Sequence, residues 1–252
     1  DLFIVTNTME EKIILDNFGY EPAEIANTGF ARWDVLKDCS QENHNILIMP
    51  TWRNWLDSVS DEAFENSAYF RNYMQLLNSE RFSEILEKYD LQIYFYLHAK
   101  FQSHLKTFHI ASDRINVLSF GDTPVNEMLM KCRMLITDYS SVFFDVAFLR
   151  KPVVYYQFDE EEFRKYHYQK GYFDFRRDGF GPVCTTQEAL LGALTESFEN
   201  GMEMQTEYVQ RTERFFPLHD GNNCRRTFEA IARLKERNKK HAAESESLSV
   251  HL

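Results

Sequence analysis

Arg133-Met134-Leu135-Ile136-Thr137-Asp138-Tyr139-Ser140-Ser141-Val142-Phe143-Phe144-Asp145 is the stretch from which the rest of the chain is read. Met134 to Ile136 form the short apolar run of a buried strand. Thr137 to Ser141 are a polar turn. Val142, Val146 and Leu149 then recur at helical spacing. Strand, hydroxyl-rich turn and helix point free backbone N–H groups and two serine hydroxyls at one spot. A helix start carries unpaired donors and partial positive charge, which suits a phosphate. The expectation is a nucleotide or diphosphate site.

Outward from this turn, strands alternate with helices. Apolar runs at 2–5, 46–49, 93–97, 115–118 and 153–156 read as strands. Residues 10–18 read as a short helix, and 61–89 as two, one with Phe70, Met74 and Leu77 on a face and one with Phe82, Ile85, Leu86 and Tyr89. Residues 157–181 have no clear period and read as a long loop with one helical turn. Thr185 with Glu188 reads as a capping box. A last helix from Asn223 is expected to bury Cys224, Phe228 and Ile231. No hairpin signal lies between the strands. Crossover connections therefore imply a mostly parallel, doubly wound α/β sheet. Ligands of such sheets sit beyond the carboxyl ends of the strands.

The chain has 252 residues, 44% hydrophobic and 15% aromatic, which is enough for a real core. Its net charge of −11 argues against coating nucleic acid, where affinity comes from Lys and Arg on phosphates. Cys39, Cys132, Cys184 and Cys224 are far apart, so neither a zinc site nor a disulfide framework is expected, and a reducing cytoplasm fits. No apolar run approaches the ~20 residues of a membrane span, and no signal peptide opens the chain. The absence of an initiator Met leads us to expect a fragment of something longer.

Three polar clusters fall at predicted strand ends: Pro50-Thr51-Trp52-Arg53, His98, and Asp138 to Ser141. Ser140 and Ser141 are the phosphate candidates, although one would also serve as a helix cap. His98 suits donation to a phosphate oxygen or general-acid work, against the plainer reading of a histidine bonded to a neighbouring loop. Arg53 offers a planar fork to phosphate, and Trp52 a face for a base; a surface Arg beside a packing Trp reads as well. Asp145, one turn after Ser141, either faces the same cleft or orients Ser141. Asp159 to Glu162 read as a solvated acidic loop. Asp220 suits a helix cap, while Arg225, at a helix start, hints at another partner. No metal is expected, because no Asp-x-Asp pair or His cluster stands out.

Leu135 to Val142, followed by Phe144-Asp145 and Lys151-Pro152-Val153, resembles the CDP-glycerol glycerophosphotransferase family of teichoic-acid primases and polymerases. Gly29-Phe30-Ala31-Arg32-Trp33-Asp34 resembles the family's Gly-x-x-Arg-x-Asp segment. Pro50 to Arg53 resembles its Pro-Thr-Trp-Arg turn, Gln169-Lys170-Gly171-Tyr172 its Arg-Gly-Tyr loop, and His219-Asp220-Gly221 with Arg225 its entry to the final helix. The resemblance covers about residues 1–235.

It implies the C-terminal, donor-binding half of a two-domain GT-B fold. Residues 1–36 would be the crossover from an N-terminal half, 37–235 the nucleotide-donor domain and 236–252 a polar tail. It further implies that Ser140 and Ser141 bind the donor pyrophosphate, that Arg53, Thr51, Asp145, Gly29, Arg32 and Gly171 belong to that site, and that His98 assists, with the catalytic base in the other half. The reaction implied is transfer of glycerol phosphate from CDP-glycerol to a hydroxyl of a polymer or lipid-linked glycan, with no cofactor or metal and no turnover by this half alone. His98-Ala99 stands where the family usually has His-Pro, and Phe30-Ala31 replaces Leu-Pro or Tyr-Pro. These departures suggest a divergent member acting on capsule or lipopolysaccharide decoration. The implied location is cytoplasmic, with room for a peripheral place on the inner face of the bacterial membrane. Two other readings stay open: a GT-B glycosyltransferase with another nucleotide-activated donor, and a non-catalytic nucleotide-binding domain.

Overall fold

A computed structural model describes residues 1–41 and 43–249, the side chains of 238–249 excepted. In chain order the strands are β1 (Phe3–Val5), β2 (Ile25–Asn27), β3 (Asn45–Ile48), β4 (Gln92–Tyr96), β5 (Ile115–Leu118), β6 (Met134–Thr137), β7 (Val153–Tyr156) and β8 (Val183–Cys184). The helices are α1 (Thr8–Asn17), α2 (Asp61–Glu65), α3 (Ala68–Leu77), α4 (Glu80–Lys88), α5 (Val125–Lys131), α6 (Val142–Phe148), α7 (Glu160–Tyr166), α8 (Phe175–Asp178), α9 (Gln187–Glu199), α10 (Thr206–Phe215) and α11 (Asn223–Ser249).

The chain forms two compact units. One is Asp1–Leu36 with the chain from Glu213 onward; the other is Lys37–Thr212. The expected domain at 37–235 therefore gives up its last residues to the unit that holds residues 1–36. Most of the expected polar tail continues α11; residues 250–252 lie outside the described ones.

In the larger unit, six strands among the described residues form one sheet in the order β5-β4-β3-β6-β7-β8, every pair parallel. Strand order reverses between β3 and β6, as in a doubly wound nucleotide-binding sheet. Helices cover both faces, so β6 and β7 are buried along their whole length, which explains their unbroken apolar runs. Each fully buried Leu, Ile or Val there contributes roughly 1.5–3 kcal/mol. Ser67 and Ser79 cap α3 and α4 by accepting from the N–H groups of Phe70 and Phe82.

Several elements depart from the sequence reading. Helix α3 buries Tyr69, Tyr73, Leu76 and Leu77, while Phe70 and Met74 are only half-buried. Both tyrosines belong to an aromatic cluster with Phe64, Phe95 and Phe101, and a ring buries more area than a Met side chain. The cap of α9 is Thr186, not Thr185. The 157–181 region contains two helices, α7 and α8. The strands β2 and β8, at three and two residues, are too short to show a period.

In the smaller unit, β1 and β2 pair in parallel. Asn7 caps α1 through the N–H groups of Met9 and Glu10. The expected burial on α11 does not occur: Cys224 is exposed, Phe228 is 72% exposed and Ile231 53%. The face of α11 that meets residues 23–28 instead carries Arg226, Ala230, Arg233 and Leu234. Among the described residues, no helix is long and apolar enough to cross a membrane.

Candidate functional site

The switch point of the larger sheet lies between β3 and β6, and the two strand ends are tied together there. The Thr51 N–H, just beyond β3, donates to Asp138 Oδ1 at 2.8 Å, and the Tyr139 N–H donates to the same oxygen at 2.5 Å. Thr137 Oγ1 donates to the Met49 carbonyl at 2.7 Å. The Gln157 side chain, just beyond β7, donates to the Asp138 carbonyl at 2.8 Å.

Beneath these bonds lies Arg53, with no exposed surface. Its Nε and Nη2 donate to the two oxygens of Asp159 at 2.6 and 3.0 Å, and Nη1 donates to the Thr51 carbonyl at 2.6 Å. Nη1 also lies 2.8 Å from Asp138 Oδ2, an ion contact without hydrogen-bond alignment. Burial works against the guanidinium's charge, but Asp138 and Asp159 outweigh it and raise its pKa. The rings of Tyr69, Tyr139 and Phe163 lie within 5.0 to 5.2 Å of its Cζ.

Arg53 is therefore neither the expected phosphate ligand nor a surface Arg beside a packing Trp: it is a buried strut that fixes the turn. Asp159 is likewise not part of a solvated loop. It is the buried partner of that strut, drawn in by charge pairing over 106 positions of sequence.

Above the strut, Ser140 is half-buried and Ser141 exposed. Ser141 takes the cap position of α6 with helical backbone angles, and its side chain makes no cap bond. Neither hydroxyl has a partner among the described residues. Asp145 is buried in the first turn of α6, 7% exposed. Thr51 presents its backbone N–H to Asp138, while its own hydroxyl has no partner.

His98 follows β4. Its Nδ1 accepts the Lys100 N–H at 3.2 Å, so in the neutral ring the proton is on Nε2. Its ring stacks on Trp52 at 6.0 Å. A second imidazole, His167, makes a T-shaped contact with Trp52 at 4.8 Å. His167 Nδ1 accepts the Asn54 N–H at 3.0 Å, which likewise leaves its proton on Nε2. Burial lowers the pKa of both rings, reinforced at His98 by Lys100 and at His167 by Arg53. Both are neutral Nε2–H donors near pH 7.

The strand ends thus bring together Thr51, Trp52, Arg53, His98 and Asp138 to Ser141. Gly171 lies in the same unit, exposed and with open space around it. Gly29 and Arg32 belong to the other unit. Gly29 has φ +72° and sits against the Asn223 side chain. Arg32 lies over the Phe30 ring at 4.1 Å. In that unit Asp34 caps α11, accepting the N–H groups of Asn223 and Cys224 at 3.0 and 2.7 Å. Asp220 pairs with Arg226 rather than capping, and Arg225 finds its partner in Glu229.

His167 escaped the sequence reading altogether, and the parts that Asp159 and Tyr139 play beside Arg53 were not read from it. The one available signal for His167 was a histidine amid aromatic residues. Among the described residues, no group of three or more His, Cys, Asp or Glu is arranged to hold a metal ion.

Residues 1–233 match the family described as CDP-glycerol:poly(glycerophosphate) glycerophosphotransferase. The chain is 32% identical over 244 residues to the minor teichoic acid biosynthesis protein GgaB of Bacillus subtilis (strain 168), covering 92% of this chain and 26% of that protein. It is 24% identical over 248 residues to the teichoic acid glycerol-phosphate transferase of Staphylococcus aureus (strain NCTC 8325 / PS 47), covering 92% of this chain and 60% of that one. The chain therefore spans less than two thirds of these relatives. Among solved structures, the wall teichoic acid polymerase TagF superposes with a TM-score of 0.68 at 20% identity, covering 95% of this chain and 59% of that chain. A UDP-N-acetylglucosamine 2-epimerase from Listeria monocytogenes superposes at 0.60. These likenesses place the fold with GT-B-like proteins, and the sequence match over nearly the whole chain shows that it belongs to the CDP-glycerol:poly(glycerophosphate) glycerophosphotransferase family.

Proposed function

We propose that this chain is the donor-binding part of a transferase that moves glycerol phosphate from CDP-glycerol to a hydroxyl of a polymer or lipid-linked glycan. The observation that carries the reading is the pair of neutral imidazoles, His98 and His167, packed on Trp52 just beyond β3, whose neighbour β6 ends in the turn that holds the Ser140 and Ser141 hydroxyls, neither with a partner among the described residues. Family membership supplies the donor class.

In this reading the acceptor oxygen attacks the β-phosphorus of the donor. The new O–P bond forms as the bridging P–O bond breaks, CMP carries off the electron pair, and the acceptor proton passes to a base outside this chain. Charge collects on the leaving phosphate. The Nε2–H of each histidine and the serine hydroxyls are donors that absorb it without moving, because the strut of Arg53, Asp138 and Asp159 holds the turn. The reading assigns this charge to hydrogen-bond donors and adds no metal. A peripheral place on a membrane surface, where a lipid-linked acceptor would be met, belongs to the same proposal.

A second donor merits a place. The chain is 26% identical over 246 residues to a teichoic acid poly(ribitol-phosphate) polymerase of Bacillus spizizenii (strain ATCC 23059 / NRRL B-14472 / W23). CDP-ribitol presents the same pyrophosphate to the turn.

Calorimetry with CDP-glycerol, CDP-ribitol and a UDP-sugar tests the reading. CDP-glycerol should bind best, and Ser140→Ala with Ser141→Ala should weaken it at least tenfold without unfolding the chain. Unchanged donor affinity in that variant would overturn the assignment.

A further inference from the structure

We propose that a second anion site, for a phosphate mono- or diester, lies in the cavity lined by Gln157, Glu160, Arg164, Lys170, Asp174 and Arg176. The cavity holds about 230 Å³. It opens at the carboxyl ends of β6 and β7, since Gln157 directly follows β7 and its amide is bonded to Asp138. Ligands of parallel sheets collect at this edge.

Its charge pattern is unbalanced. Asp174 is already committed: one oxygen pairs with Lys170 at 2.7 Å, and the other accepts the N–H groups of Arg176 and Arg177 at 3.0 Å each. Arg164 and Arg176 make no side-chain hydrogen bond or ion pair among the described residues. Of the two carboxylates that line the cavity, only Glu160 is left uncommitted against these two guanidinium groups.

Arg164 is also held in place. Its Cζ lies 5.5 Å from the Tyr139 ring centre, 5.8 Å from that of Phe175 and 5.9 Å from that of Phe163. Tyr139 in turn stacks on Phe163 at 3.8 Å. A guanidinium flanked by rings has little freedom to find a partner elsewhere, yet its Nε is buried without an acceptor. Native structures rarely leave such a donor unmatched. A bidentate oxyanion matches the planar fork of arginine, and a second cation close by favours phosphate.

The phosphate has two sources: the nucleotide donor, or the phosphodiester of a growing acceptor chain. Assigning it to either rests on the transferase reading; the anion site itself does not.

The test is calorimetry on the full chain with glycerol 3-phosphate, glycerophosphoglycerol as the diester probe, and CDP-glycerol. Wild type should bind the diester, and Arg164→Gln and Arg176→Gln should each weaken it about tenfold or more, the loss expected for one charged hydrogen bond. Arg164→Lys keeps charge but not the fork and should fall between. Circular dichroism and melting show whether Arg164→Gln still folds; Arg176→Gln, on the cavity rim, gives an independent reading. Competition between diester and CDP-glycerol identifies the donor as the source, and simultaneous binding identifies the acceptor. Ser140→Ala with Ser141→Ala should leave diester affinity intact, so a failed donor assignment is separable from a failed cavity. No anion binding by wild type, or equal affinities in wild type and both arginine variants, overturns the proposal.

Discussion

Arg53 and Asp138 meet across the switch point at 2.8 Å, and neither side chain reaches solvent. The pair joins the end of β3 to the turn after β6, and Asp159 closes it from beyond β7. Three neighbouring strand ends are thereby fixed by one guanidinium. Breaking a buried pair by removing one partner strands the other charge, so Arg53→Met should cost about 3–5 kcal/mol. Arg53→Lys should be nearly as harmful, because one ammonium cannot serve Asp138, both oxygens of Asp159 and the Thr51 carbonyl together. Urea unfolding followed by circular dichroism measures both. An unchanged midpoint for Arg53→Lys would show that the fork is not what holds the turn.

The two imidazoles make stability depend on pH with a definite sign. Each has a folded pKa below its ordinary 6.5. Between that folded value and 6.5 the unfolded chain binds more protons than the folded one, so stability rises with pH across this window. Their contribution is complete above 6.5 and is lost as pH falls through the folded pKa. Melting temperatures of wild type should therefore drop between pH 7 and pH 5 more than those of a His98→Gln, His167→Gln double variant. Parallel pH curves for the two proteins would rule this out.

How much of this was legible in advance depended on the range of the signal. The apolar run Met134–Ile136 and the turn after it are local, and they placed β6, α6 and the serines correctly. Arg53 and Asp159 were each visible, but their pairing spans 106 positions and leaves no local mark, so one was read as a ligand and the other as solvated. Helix α11 failed for a related reason. Cys224, Phe228 and Ile231 share a helical face by spacing, but which face is buried is decided by the strand the helix lies on. His167 sits where no period exists to place it.

His167 is the site residue whose role is easiest to separate from folding. Its Nδ1 is satisfied by the Asn54 N–H, and its Nε2–H remains for a ligand. His167→Asn should keep a polar group near Asn54 while withdrawing the Nε2–H donor. Donor affinity should fall several-fold to tenfold, the scale of one hydrogen bond to a charged group. The melting temperature should move little, since the ring is half-buried. Calorimetry with CDP-glycerol reads the first effect and a melting curve the second. A large loss of stability with no loss of affinity would make His167 a packing residue.

Gly29 and Gly171 were singled out together from the sequence, and the structure separates them. Gly29 has φ +72°, and a Cβ there would collide with the Asn223 side chain. Asn223 accepts from Arg226, whose Nε also holds the Thr28 carbonyl at 3.2 Å, so displacing it loosens the contact of α11 with residues 28–34. Gly29→Ala should cost at least ~1–2 kcal/mol from backbone strain alone. Asp34→Ala, which removes the cap on the same helix, should cost about 1 kcal/mol. Gly171 has open space around it and no left-handed backbone, so Gly171→Ala should stay within about 0.5 kcal/mol of wild type. Denaturant unfolding of the three variants provides the comparison. If Gly171→Ala is as damaging as Gly29→Ala, the loop at 169–172 is held by contacts that its open surroundings do not provide.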